Sequence, residues 1–463
     1  MFNTIDSGAI LIQPWEIVVL PFYLLVIYFI ANSIKRRKIE QNPLYKYYVW
    51  GLFAKITGGI GLAFVYLFVY RGGDTIGYYE SSLAMRNLLT SAPADWLINE
   101  FGGNTNEHFS LFTWATGYPY PYMYFDPKTY MVIRLVNPLL IFSFNSYIIT
   151  TVLVDWIAYA GMWRLFIVFS NYYPNRKNLF AIAILFFPSV LFWGSGILKD
   201  SITLSCTGWV VYCIYKTFII KQNRLQYLII LILNLLIIFL VKPYIVFTLF
   251  PGSLMWIFAN RIAKIQNTVI KIFIIPFILL ISIGGGTYAL SFLGESMGKF
   301  ALDKIATTIV VTQNDLKQSY YHGHSFDIGL DDPTPTGLLK KFPAAVLAGL
   351  FRPFLWESEN AVMLISGIEN MLIALLTVIA LFYIVRNIPA FFKKLLQEPL
   401  LFFSLTFSLF FAFSVGISTS NFGALVRFKI AYLPFFLCSL FILIKRKDDG
   451  IEPTESVEAI STE

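Results

Sequence analysis

The sequence predicts an all-α fold, a polytopic integral membrane helical bundle, on three observations. Of its 463 residues 57% are hydrophobic and only 13% charged, against about a quarter charged in a soluble domain. Apolar runs recur at about the 20-residue length that one bilayer crossing needs. The turns between alternate runs are basic, as cytoplasmic loops are. With 45 phenylalanines and 27 tyrosines besides, an ordinary cytosolic enzyme and a disordered chain are excluded. So is a secreted disulfide scaffold: Cys206, Cys213 and Cys438 lie in apolar runs without CxxC spacing and read as small buried hydrophobes.

The first run, about 12–31, ends at Lys35-Arg36-Arg37-Lys38. It has no basic region before it and no small-residue cleavage site, so it reads as a retained helix, N-terminus outside. The second, about 48–70, returns to the outer face. Further spans are expected at about 147–169, 179–194, 201–220, 226–241, 244–260, 268–290, 361–385, 399–418 and 428–445. That gives about eleven crossings and a cytoplasmic C-terminus. The inside turns then hold Arg176-Lys177, Lys216/Lys221/Arg224, Arg261/Lys264/Lys271, Arg386/Lys393/Lys394 and Lys445-Arg446-Lys447. Segments 131–143 and 341–355 are apolar but short, and read as interfacial or re-entrant helices.

Two outer loops are long, about 71–130 and 291–340; loops of that length on a rigid scaffold usually carry function or are disordered. Residues 1–446 form one transmembrane domain. The tail 447–463, one lysine against six acids, has the composition of a disordered cytoplasmic segment. The net charge of +8 would suggest nucleic acid in a soluble chain; here the positive-inside rule accounts for it, and the implied partner is the lipid bilayer.

Charges on the outer side have no such explanation, and ionisable groups at membrane depth are functional hypotheses by default. The first cluster is Arg71-Gly-Gly-Asp74-Thr-Ile-Gly-Tyr78-Tyr79-Glu80. In a helix Asp74 and Tyr78 share a face at i, i+4. Asp74 can act as a general base and Tyr79 can stack on a sugar; the alternative is a plain turn and N-cap. The second is Pro188-Ser189-Val-Leu-Phe-Trp193-Gly-Ser195-Gly-Ile-Leu-Lys199-Asp200. Ser195 and Lys199 would share a helical face, Lys199 suits phosphate, and Asp200 can fix it or act as a base; a Lys-Asp pair capping the next helix is the bland reading. Lys242-Pro243-Tyr244 is either a phosphate contact or a hairpin turn with a snorkelling lysine. Arg352-Pro-Phe-Leu-Trp356-Glu357 and Asn421-Phe-Gly-Ala-Leu-Val-Arg427-Phe-Lys429 add three cations outside.

A ligand rich in phosphate explains these cations best. Tyr118-Pro-Tyr120-Pro-Tyr122-Met-Tyr124 could stack sugars or form an interfacial belt. His322-Gly-His324 with Asp327, Asp331 and Asp332 lacks helical spacing and reads as a solvated loop, so no metal ligands are assigned. No Walker motif, GxGxxG or HExxH occurs.

The Gly-Gly-Asp-x-x-x-Tyr stretch, the Pro-Ser…Trp-Gly-Ser-Gly-x-x-Lys-Asp hairpin and the terminal Asn-x-Gly…Arg-x-Lys…Pro resemble bacterial glycan-assembly membrane proteins: O-antigen and exopolysaccharide polymerases and GT-C-type glycosyltransferases. The resemblance implies an outer-face site acting on sugars carried by polyprenyl phosphate. Lys199, Lys242, Arg352 and Arg427 would hold the lipid phosphate, and Asp74 or Asp200 would be the base. Lys199 stands where many polymerases have arginine, and the DxD of many GT-C enzymes is missing, so metal dependence stays open. The implied place is the bacterial inner membrane, and other glycan-assembly membrane proteins are the implied partners. A lipid-linked glycan flippase or other transporter, and a structural assembly protein, are the rival classes.

Overall fold

The computed structural model describes residues 12–263, 305–316, 325–329, 334–358 and 361–444, with a few single positions between them. Every regular element among these is helical. Seven helices are long and apolar enough to cross a membrane: Glu16–Lys38, Pro43–Val69, Tyr147–Tyr172, Lys199–Ile220, Arg224–Val241, Met363–Arg386 and Pro399–Ser418. Phe422–Ala431 with Leu433–Leu443, bent by 66°, makes an eighth if the pair is one span. The chain is a multi-pass membrane protein by this measure. The expected span at 268–290, the His322/His324 loop and the tail 447–463 lie outside the described residues.

The chain divides into two compact units. The first comprises Met1–Ser170, Ile184–Tyr212 and Ile230–Pro243. Its labelled helices are α1 (Glu16–Lys38), α2 (Tyr48–Phe64), α3 (Asp74–Ser91), α4 (Pro93–Phe101), α5 (Pro127–Val136), α6 (Tyr147–Tyr172), α7 (Pro188–Trp193), α8 (Lys199–Ile214) and α9 (Arg224–Val241). The expected loop 71–130 is thus largely helical. α3 and α4 are polar or short and carry no apolar run to betray them, whereas α5 runs into the 131–143 segment expected to be helical. Ala92-Pro93 and Asp126-Pro127 set the starts of α4 and α5.

The 179–194 run is not one helix. Pro188 brings no N–H and holds Phe187 in an extended conformation, which separates α7 from the helical turns before it. Even so, the segment returns along the bundle. Gly196 meets Asp155, Ser205 and Gly208 meet Gly161, and Trp209 and Tyr212 lie under Arg164. Both numbers rise together, so α8 runs parallel to α6 and the chain between them must travel back. α2 runs against α6, since Tyr48 meets Tyr159 while Lys55 and Gly59 meet Asp155.

Glycine permits these crossings. A Cβ on Gly161 would stand 1.9 Å from the Ser205 carbonyl oxygen, and one on Gly58 2.2 Å from that of Leu191. Small residues let backbones approach where lipid supplies no hydrophobic drive between helices. Tyr45, Tyr48, Tyr159, Trp163 and Phe166 fill the space beyond with tilted and edge-on rings.

The second unit comprises Asn171–Ala183, Cys213–Ile229 and Tyr244–Glu463. It contains α10 (Pro243–Ala263), α11 (Ile305–Leu316), α12 (Phe342–Phe351), α13 (Ala361–Arg386), α14 (Ile388–Gln397), α15 (Pro399–Ser418), α16 (Phe422–Phe428) and α17 (Leu433–Leu443). The apolar 341–355 segment is the short helix α12, which packs closely on α15. A Cβ on Gly416 would lie 1.9 Å from the Ala345 oxygen, and the Tyr432 hydroxyl donates to the Gly349 carbonyl at 2.6 Å. Phe403, Phe407, Phe411 and Phe435 make the aromatic core.

Candidate functional site

In the first unit the turn between α7 and α8 is fixed by a buried ion pair. Lys55 Nζ donates to the Gly194 carbonyl at 2.6 Å and to Ser195 Oγ at 3.3 Å, and lies 3.9 Å from Asp155 Oδ1. That oxygen accepts the Gly196 N–H at 2.8 Å. Gly196 takes φ +72°, which a glycine adopts without strain. Both charges are fully buried, and each satisfies a backbone group of the turn. Ser195 lies in this turn, before the helix starts at Lys199, so the expected shared face of Ser195 and Lys199 does not exist.

Three groups follow the turn. Lys199, half-buried, donates to Thr129 Oγ1 at 2.6 Å, and that hydroxyl donates to Asp126 Oδ2 at 2.9 Å. Asp200 and Lys242 are buried and paired at 2.5 Å. Lys242 is therefore no snorkelling turn residue: α9 ends beside the start of α8, and the cation that follows it neutralises Asp200.

The first cluster opens α3. Gly73, at φ 103°, precedes the helix and Asp74 begins it, half-buried, with its charge favoured by the helix N-terminus. Arg71 is exposed, while Tyr78 and Tyr79 are buried. The Tyr79 ring packs edge-on to Tyr147, and its hydroxyl donates to the Asn145 carbonyl. The open rings belong to the 114–125 stretch instead: Trp114 is 94% exposed and Tyr122 65%. Tyr120 donates to Glu80 Oε2 at 2.5 Å. The Tyr122 ring is open, but its hydroxyl end packs beside Gly77; burial there, aided by the Asp74 and Glu80 carboxylates, pushes the phenol up to about 12.

Beneath these rings a polar network joins α4 to α5. Arg134 donates to the Asn99 and Gly102 carbonyls, Asn99 accepts from the Tyr124 hydroxyl, and Asn137 donates to Glu100 Oε2 at 3.0 Å. Burial pushes the Glu100 carboxyl up to about 7, against the opposing pull of Asn137 and Arg134.

The second unit holds the remaining cations. Arg352 pairs with Glu357 Oε1 at 3.0 Å, its guanidinium 4.8 Å from the Phe326 ring centre. Lys429 is buried and donates to Asn370 Oδ1 at 2.6 Å and to the Arg352 carbonyl at 3.0 Å. Glu369, one residue before Asn370, interacts electrostatically with it. Arg427 is half-buried on α16, which Asn421 caps.

Lys55, Asp155, Glu369 and Asn370 are not among the residues the sequence reading singles out. Their signal was present: each is a polar or charged residue in the interior of an apolar run. Among the described residues no group of three His, Cys, Asp or Glu side chains could hold a metal ion. Comparison of the chain with known protein families, characterised proteins and solved structures finds no match.

Proposed function

We propose that this protein is a membrane glycosyltransferase or polysaccharide polymerase that takes sugars from a polyprenyl phosphate at the outer face of the bacterial inner membrane. The observation that carries the reading is the gathering of Lys199, Asp200 and Lys242 beside Thr129. It lies at the end of the first unit where α3 and α5 sit, whereas the basic run Lys35–Lys38 ends α1 at the other. The positive-inside rule favours a cytoplasmic second end, and this supports the reading of an outer-side cluster. The proposed topology is about eleven crossings, with N-terminus outside and C-terminus inside.

Lys199, exposed in part, binds the donor phosphate, with Arg71 near the surface as a second contact. Asp74 is the better base. It is half-buried beside the open ring of Tyr122, whereas Asp200 is buried in its pair with Lys242 and holds that lysine in place. The acceptor oxygen attacks the anomeric carbon as Asp74 takes its proton. The bond from that carbon to the phosphate oxygen breaks, and its electron pair leaves with the lipid phosphate. Cations aimed at the leaving oxygen lower this barrier. In the second unit the half-buried Arg352 and Arg427 remain phosphate-binding residues under this proposal, whereas Lys429, buried on Asn370 and the Arg352 carbonyl, is not one.

The buried Lys55–Asp155 pair favours a second reading, transport of a lipid-linked glycan, because such carriers place charges at mid-membrane depth. A surface-glycan gel separates the two. A strain without this gene is complemented with wild type, Lys199→Ala or Asp74→Ala. Collapse of the ladder to one repeat unit with either variant supports a polymerase, and a shift by one sugar supports a single transferase. Loss of all surface glycan with lipid-linked product trapped inside supports transport. A ladder that both variants restore fully overturns the glycan reading.

A further inference from the structure

The helix α14 is too short to cross a membrane, yet it joins two that do. A single residue, Asn387, separates it from α13, and Glu398 alone separates it from α15. It is therefore tethered where two spanning helices end, at the depth of the lipid headgroups. Its ten residues are divided by side. Ile388, Phe391, Phe392, Leu395 and Leu396 fall on one arc at 100° per residue, and Lys393, Lys394 and Gln397 on the other. Leu395 packs inward on Met255, Ile262 and Phe402. Ile388 and Phe392 of the same arc remain 50% and 57% exposed.

The three nearby cations have different duties. Lys394 is spent on the protein, donating to the Ile442 carbonyl at 2.8 Å. Lys393 is exposed, as is Arg386 at the end of α13. Exposed apolar rings beside exposed cations on a helix fixed at the bilayer surface fit one partner: the boundary of anionic headgroups and acyl chains. A protein partner would fit the apolar arc alone; it would not explain solvent-exposed Lys393 on α14 and Arg386, which ends α13 with its guanidinium over the Phe382 ring yet stays exposed.

We propose that α14 is an interfacial helix seated in the headgroup layer, with Arg386 and Lys393 binding anionic phospholipid. This rests on the membrane reading alone and stands whatever the chemistry of the first unit. The test uses the full chain in nanodiscs of phosphatidylcholine mixed with phosphatidylglycerol. The native cysteines are buried, so Phe392→Cys can carry a nitroxide alone. Expected is a label reached by oxygen and shielded from an aqueous nickel chelate. Lipid retained after purification should favour phosphatidylglycerol, by about five-fold less for each cation removed in Arg386→Gln and Lys393→Gln. If the double variant does not elute as wild type, wild-type preference is measured in high salt, where it should fall. A label open to the nickel chelate, a label shielded from both reagents by a second copy, or a preference unchanged by salt and by both substitutions overturns the proposal.

Discussion

Lys55 and Asp155 bring opposite charges into the interior of α2 and α6, and each also meets a backbone group of the turn that delivers Lys199. Removing one partner strands the other without its counter-charge. Lys55→Met or Asp155→Leu should each cost about 3–5 kcal/mol. The double variant, apolar on both sides, should lose much less than the two together. Thermal unfolding of the four proteins in detergent reads this coupling, and strictly additive losses would mean that the pair does not act as one. Glu100 makes a second residue-scale prediction, in pH. Its folded carboxyl titrates at about 7 against an ordinary 4.5, so the folded chain holds a proton that the unfolded chain has released. Its contribution to stability is complete below about pH 4.5 and is lost as pH rises through about 7. Glu100→Gln should flatten that part of the melting-temperature profile between pH 4.5 and 8; an unchanged slope would place the titration elsewhere.

At the scale of elements, glycine positions decide how closely helices cross. A Cβ at Gly161 collides with the Ser205 carbonyl, whereas one at Gly61 meets nothing within 4 Å. Gly161→Val should therefore destabilise by about 1–3 kcal/mol through overpacking. Gly61→Ala should be neutral or stabilise by about 0.5–1 kcal/mol, the ordinary helix preference. Equal melting temperatures for the two variants would deny the α6–α8 contact. These elements also mark what could be read from sequence. The long helices α1, α6, α9 and α13 follow from apolar length alone, which is a local property. α3 and α4 do not, because polar helices look like loops to a hydropathy count, whereas α5 overlaps the short apolar segment 131–143 that reads as an interfacial helix. Helical spacing from Ser195 to Lys199 fails for a related reason: α7 ends at Trp193, and Gly196 at positive φ keeps the chain in a turn until α8 starts. In the candidate site the types and positions of Lys199, Asp200 and Lys242 were legible. Their pairing was not, since Asp200 meets a cation from the next helix but one turn of sequence cannot specify which. Lys55 and Asp155 stand about a hundred residues apart, and only the antiparallel course of α2 and α6 joins them.

For the molecule as a whole, the order of crossings turns on the broken 177–193 segment. If it stayed on one side, α6 and α8 would be antiparallel, and every later crossing would be inverted. The contacts of Asp155 with Gly196, Gly161 with Ser205 and Gly208, and Arg164 with Trp209 run in one direction, so α6 and α8 leave the first unit toward the same side. α2 is antiparallel to α6 and begins on that side, next to the basic end of α1. Reporter fusions placed after Glu40, Asn175 and Gln222 should therefore all report one compartment, and fusions after Gly72 and Ser143 the other. The positive-inside rule assigns the first group to the cytoplasm: green fluorescence there without phosphatase activity, and phosphatase activity without fluorescence for the second group. A Gln222 fusion that behaves like Gly72 would remove the return crossing. All five results inverted together would keep the crossings but turn the protein over, carrying Lys199 and Asp74 to the cytoplasmic face, where a periplasmic sugar transfer cannot take place.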